Sequence, residues 1–213
     1  MVRREMPSLL QQPFPALIRA IPTALHSFEL EAEPWQPKFN EAGCGMLWEA
    51  IFGGQDSIRI SRDRLLNYIY PNQQQKCAEV LLWGYPRDMR GMVSRLLPVI
   101  EQVSELAASE EPWPNYYHSF RRQDLTGIGL STITKLAYFF RKEFEGHSAV
   151  ILDSRVNASI SRWQELQVHL GVIANRSWRH YLPYLHALYG TAALIECTGE
   201  QLELFLFAFG KNF

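Results

Sequence analysis

Cysteine is scarce and scattered in this chain. Cys44, Cys77 and Cys197 are odd in number and far apart. That excludes a disulfide framework and a cysteine-built zinc or iron–sulfur site, and reads as reduced thiols in a cytosol. The histidines fall in no metal-ligand spacing, and His180 and His186 read as structural residues on an amphipathic helix. No apolar run reaches the roughly 20 residues of a membrane span; the longest candidate, "LELFLFAFG", is far shorter. The N-terminal "MVRREMPSLLQQPFP" lacks the sustained apolar core of a secretion signal. No phosphate-binding Gly-rich loop with lysine is present. Positive charge is not in excess: the net charge is -1, so any nucleic-acid surface must be local. Period-2 alternation is rare, with "DSIRIS" the best candidate strand. There is no internal repeat and no low-complexity segment. These absences point to a cytoplasmic monomer with no membrane association, metal or cofactor.

What is present is a globular composition over 213 residues, 47% hydrophobic and 20% charged. That is enough for one domain or two packed lobes. Residues 1–40 carry Pro7, Pro13, Pro15, Pro22, Pro34 and Pro37 and read as an irregular arm with short helical pieces. Residues 41–213 read as an all-α body. A helix is expected from Asn40 to Phe52. Ser61 is a good N-cap for "RDRLLNYIY", and "NQQQKCAEVLLWGYP" is helical until Gly84 and Pro86 end it. Pro98 should start or kink a helix within "GMVSRLLPVIEQVSELAASE". "GLSTITKLAYFFRKEF" and "SRVNASISRWQEL" read as helices, and Pro183 should interrupt "SWRHYLPYLHALYGTAALI". Thr198 and Gln201 form a capping-box signature for the last helix.

The basic residues gather locally: Arg59, Arg62 and Arg64; Arg87, Arg90 and Arg95; Arg121 and Arg122; Arg141 and Lys142. A solvated mixed-charge face explains any one cluster equally well. More informative is "LTGIGLSTITKLAYFFRKEFEGHSAVILDSRV", Leu125 to Val156. Two glycines one residue apart allow a tight turn. Free backbone N–H groups there, beside a helix N-terminus, bind a phosphate whatever the base sequence. Asp153 follows the apolar "SAVIL" and opens a new helix, where an Asp is also an ordinary N-cap.

The order of hairpin, helix, apolar segment and Asp resembles the helix–hairpin–helix DNA glycosylases. "LTGIGLSTI" is similar to their hairpin and "VILDSRV" to their acid segment. "LLWGYPRDMRGM" and the "GIG…S…TK" spacing look like the bacterial 8-oxoguanine-glycosylase-like branch, some of whose members are linked to phage defence. The resemblance implies a two-lobed all-α fold with a helix–hairpin–helix motif and a cleft between lobes. It implies a nucleoid-associated enzyme acting on double-stranded DNA that contains a damaged or modified base. Gly127, Ile128 and Gly129, with Ser131 and Thr132, would then grip the backbone, and Asp153 would be the catalytic carboxylate. Arg87, Arg90 and Arg155 are candidates for phosphate contacts, and Trp83, Tyr85 and Phe139 for base-pocket walls. Bifunctional members carry a lysine two places after the second glycine; that place here is Ser131, which implies a monofunctional hydrolase. Lys135, one helical turn on, is the candidate for lyase chemistry. A non-catalytic DNA-binding protein and an all-α interaction protein with Asp153 as a mere cap are the competing readings.

Overall fold

The first strand comes from the proline-rich segment. In the computed structural model, which describes residues 8–88, 91–122, 125, 128–163, 165–166, 178–210 and 212, β1 (Ser27–Glu31) pairs antiparallel with β2 (Ser57–Ser61). The pairing sets Phe28 opposite Ile60 and Leu30 opposite Ile58, so a partner 30 residues downstream fixes a strand that its own proline-rich surroundings did not announce. The rest is mainly helical, as the sequence pattern predicts.

The chain divides into two units, residues 24–141 and residues 1–23 with 142–213. In the first, α2 (Gln36–Glu41) and α3 (Gly45–Phe52) replace the single expected helix. Gly43, at φ 71, turns the backbone left-handed between them. Ser61 caps α4 (Arg62–Asn67) by accepting from Arg64 N, and Asn72 caps α5 (Gln73–Gly84) through Gln75 N. Pro98 splits the next run into α6 (Met92–Leu96), a 3-10 turn and α7 (Ile100–Ala108). Then come α8 (Asn115–Arg122) and α9 (Leu130–Phe139).

Helix α5 is the hub of this unit, packing against α3, α7 and α9. It carries a fully buried carboxylate, Glu79. Arg64 grips it bidentately at 2.7 and 2.9 Å, and Tyr70 and Gln75 also donate to it, at 2.9 and 3.2 Å. The burial of this charge is tolerable because its acceptor sites are filled.

The second unit begins with α1 (Phe14–Arg19), whose Phe14 ring packs edge-on against the fully buried Trp163 at 5.0 Å. A two-residue pair, β3 (Glu143–Phe144) and β4 (His147–Ser148), turns through Gly146. The apolar stretch Ala149–Leu152 leads into α10 (Ser154–Ile160), which packs on α12 (Gly199–Ala208). Between these lies α11 (Tyr181–Leu194). Pro183 does not interrupt it, contrary to expectation. It sits in the first turn, where the missing N–H would have no intrahelical acceptor. Thr198 and Gln201 close the predicted capping box.

Candidate functional site

Helices α8 and α9 flank the segment that the resemblance expects to form a hairpin. Arg121, on α8, donates Nη1 to the Ile128 carbonyl at 3.1 Å, and Ile128 N donates to Leu125 O at 3.2 Å. Ile128 buries its side chain completely, and both its N–H and its carbonyl are engaged within the protein. Gly127 lies outside the described residues. Gly129 is the N-cap of α9, extended at φ -100 and ψ 172, with no side-chain cap on the helix. A Cβ added there would meet nothing within 4 Å. Neither backbone angle nor crowding inside the protein therefore demands glycine at 129. What it leaves is an open approach to the first amides of a helix, the groups that no intrahelical carbonyl satisfies.

Two sequence motifs close on each other next to this turn. Tyr85, of "WGYP", and Thr132, of the hairpin helix, share a hydroxyl–hydroxyl bond of 2.6 Å. Lys135 is 8% exposed; its Nζ donates to Ser131 Oγ at 2.7 Å and lies 5.5 Å from the Tyr85 ring centroid. Gly84 makes this possible: a Cβ there would stand 2.9 Å from Lys135 Cδ. The Ser131 and Thr132 side chains are thus engaged within the protein, and so is the Thr132 amide, which donates to Gly129 O at 3.0 Å.

Of the three aromatic residues expected to wall a pocket, Trp83 and Phe139 are core. Trp83 is 3% exposed and packs edge-on against Phe139, Phe28 and His26; Phe139 is fully buried. Neither offers a face to a base, because helix α5 and helix α9 turn both rings into the hub. Tyr85 is the partly exposed one.

The loop after Tyr85 is organised by an acid the sequence reading passed over. Asp88 accepts from Val93 N at 2.8 Å, Ser94 Oγ at 2.6 Å and Lys38 Nζ at 2.9 Å. Burial raises its carboxyl pKa, but the Ser94, Lys38 and Val93 hydrogen bonds outweigh this and hold it below its ordinary value. Arg87, beside it, is exposed; Arg90 lies outside the described residues. An Asp followed four residues later by a helix start was the available signal, and Arg121 had none beyond being basic.

In the other unit Asp153 is the N-cap of α10. Its Oδ1 accepts from both Arg155 N, at 2.8 Å, and Val156 N, at 2.9 Å. Oδ2 makes no hydrogen bond among the described residues. Arg155 is exposed, with its guanidinium 5.1 Å from the Phe207 ring centroid. The described residues contain no cluster of three or more His, Cys, Asp or Glu able to hold a metal, and no helix among them is long and apolar enough to cross a membrane.

The hairpin helix, the "WGYP" loop and the capping Asp153 all fall inside one family-level match. The model of the family described as "Putative 8-oxoguanine DNA glycosylase OGG-like protein" aligns with residues 22–207. The chain belongs to this family. Membership suggests DNA glycosylase activity in general, with DNA as the substrate. No curated protein and no solved structure matches the chain. Within the OGG-like family frame, residues 8–21 precede the matched region, and β1, from the proline-rich segment, belongs to it.

Proposed function

We propose that this OGG-like protein is a DNA N-glycosylase that flips a damaged or modified base from a duplex and hydrolyses its glycosidic bond, with Asp153 as the catalytic carboxylate. A stacked base is unreachable, so flipping comes first and costs a few kcal/mol. Bond cleavage then builds positive charge on the sugar. A fixed carboxylate beside that carbon stabilises the cation and can orient or deprotonate the attacking water.

The observation that carries this reading is the division of labour within Asp153. Oδ1 holds two backbone amides and fixes the side chain, while Oδ2 is left for chemistry. The open space in front of Gly129 leaves room for a phosphate at the N-terminus of α9, a sequence-independent grip. Arg87 and Arg155 add exposed cations, with Arg90 assigned the same role from the sequence. Tyr85, the partly exposed one of the three aromatic candidates, is the group assigned to meet a base. The monofunctional mechanism is favoured because Ser131 occupies the place of the lyase lysine, and Lys135 is committed to Ser131 Oγ.

Wild type and Asp153→Asn are incubated with duplexes carrying different modified bases, starting with 8-oxoguanine, and both released base and binding are measured. Excision lost in the variant with binding kept is the expected result. Binding without excision in both would make the protein a non-catalytic DNA-binding module. Absence of both would remove DNA from its function. Borohydride trapping on an active duplex is expected to give no adduct; an adduct that disappears in Lys135→Ala would make Lys135 a Schiff-base nucleophile instead.

A further inference from the structure

The segment that delivers Asp153 is buried but unpaired with any strand. Ala149, Val150, Ile151 and Leu152 are each 4% exposed or less, and they belong to neither described sheet. Buried peptide groups need partners. Ala149 N donates to Lys142 O at 2.7 Å, and for Val150 and Ile151 the partners are phenol hydroxyls. Tyr181 accepts from Val150 N at 3.2 Å and donates to Val150 O at 2.8 Å, so one hydroxyl holds both polar groups of one residue. Tyr184 donates to Ile151 O at 3.2 Å. Tyr189 donates to Ser148 O at 2.9 Å, just before the segment. All three project from α11, and only Tyr181 and Tyr184 reach the stretch that ends at Asp153.

We infer that Tyr181 and Tyr184 are positioning residues for Asp153: their hydroxyls stand in for a neighbouring strand and set where the carboxylate points. The inference rests on the glycosylase reading of Asp153. Both rings are fully buried. Burial raises both phenol pKa values far above the ordinary range, and for Tyr184 the nearby charges of Glu203 and Asp153 add to this. Both hydroxyls are therefore protonated donors at any working pH. Packing alone does not account for them. A phenylalanine would fill the same space, so what the hydroxyls add is direction for the backbone. Catalytic groups must be held to within about 0.5 Å of productive geometry. A misplacement of about 1 Å can cost on the order of 100-fold in rate.

The test uses the full chain as wild type, Tyr181→Phe, Tyr184→Phe and, as a stability control, Tyr70→Phe. Tyr70 donates to Glu79 in the other unit and has no place in the site. Hydrogen exchange over residues 148–153 reports the anchoring without any need for activity. Single-turnover excision at saturating enzyme reports the chemical step, and duplex affinity reports binding. Tyr181→Phe and Tyr184→Phe are expected to speed exchange in that stretch and to lower the single-turnover rate by about tenfold or more, with duplex affinity unchanged. Tyr70→Phe is expected to lower the thermal midpoint and leave the rate alone. Unchanged exchange at 148–153, or an unchanged rate beside faster exchange, overturns the inference. A fall in rate matched by Tyr70→Phe at equal loss of stability overturns it too, because the hydroxyls would then be ordinary structural bonds. If wild type excises nothing, or Asp153→Asn excises normally, the glycosylase reading itself falls and takes the positioning role with it.

Discussion

Two substitutions at Asp153 separate its capping role from the chemical one proposed for it. Asp153→Asn keeps an oxygen in the Oδ1 position, 2.8 and 2.9 Å from the Arg155 and Val156 amides. Asn and Asp are nearly equal as N-caps. What is lost is charge at a helix N-terminus, worth about 0.3–1 kcal/mol on an exposed site. Asp153→Ala loses the cap itself, about 0.5–2 kcal/mol. For a chain of this size 1 kcal/mol moves the thermal midpoint by roughly 2–4 °C. On stability, therefore, Asn should sit close to wild type and Ala below it. Activity should not follow that order. Removing one preorganised electrostatic contact to a transition state typically costs about 10²–10³ in rate, or roughly 3–4 kcal/mol. Both variants should lose excision by at least that factor, with Asn as inactive as Ala. The assay pairs thermal unfolding with single-turnover base release on the same protein samples. If Asn excised at the wild-type rate while Ala declined in step with its stability, Asp153 would be a cap and nothing more.

Other expectations concern the opposite unit. Gly129→Ala should leave stability within about 1 kcal/mol, since its backbone suits any residue and its Cβ would meet open space. Duplex affinity should nevertheless fall, and equal affinity on a filter or fluorescence titration would remove Gly129 from the interface. Arg87→Ala should weaken binding to all duplexes alike and make the slope of log affinity against log salt shallower by about 0.9. Arg121→Ala should weaken binding without changing that slope, because its guanidinium holds the Ile128 carbonyl; a shallower slope would show that it contacts phosphate instead. Asp88 has a folded-state pKa below its ordinary 3.8, so its stabilising contribution is complete above that value and is lost as pH falls through the folded value. The gap in urea midpoint between wild type and Asp88→Asn should accordingly be full at pH 6 and shrink below about pH 4. A gap that instead widened with acid would contradict the hydrogen-bond assignment.

Helix starts were legible in the sequence because their chemistry is local. Ser61, Asp153 and the Thr198–Gln201 pair each act on amides two or three residues away, and each caps the helix that its sequence context announced. Pro98 also acts locally and divides α6 from α7. Pro183 misled because its effect depends on register: one turn further into α11 it would remove a hydrogen bond, but in the first turn it removes none. Strand β1 was hidden because its stabilisation comes from β2, some 30 residues on. Trp83 and Phe139 illustrate a different limit. Their proximity in sequence to a chemical motif placed them beside a pocket, yet helical periodicity turned them toward α5's neighbours.

The same distinction explains which parts of the site could be found from residues alone. The capping acid announces itself because an N-cap demands particular residue types, whereas the backbone of Gly129 suits any residue and that glycine stands out only by the resemblance it carries. The groups that hold them carry no such mark. Arg121 reaches the Ile128 carbonyl from the preceding helix, Lys38 reaches Asp88 from 50 residues away, and Tyr181 and Tyr184 reach Val150 and Ile151 from more than 30. Each supporter satisfies a backbone or carboxylate atom whose own sequence gives no hint of the donor. On the proposed function, a motif names the atoms that meet substrate, while the precision of their placement depends on donors that only the fold brings near. If that division is right, substitutions in the supporters should lower the excision rate while leaving affinity for DNA intact wherever they act on Asp153, and should lower affinity first wherever they act on the Gly129 turn.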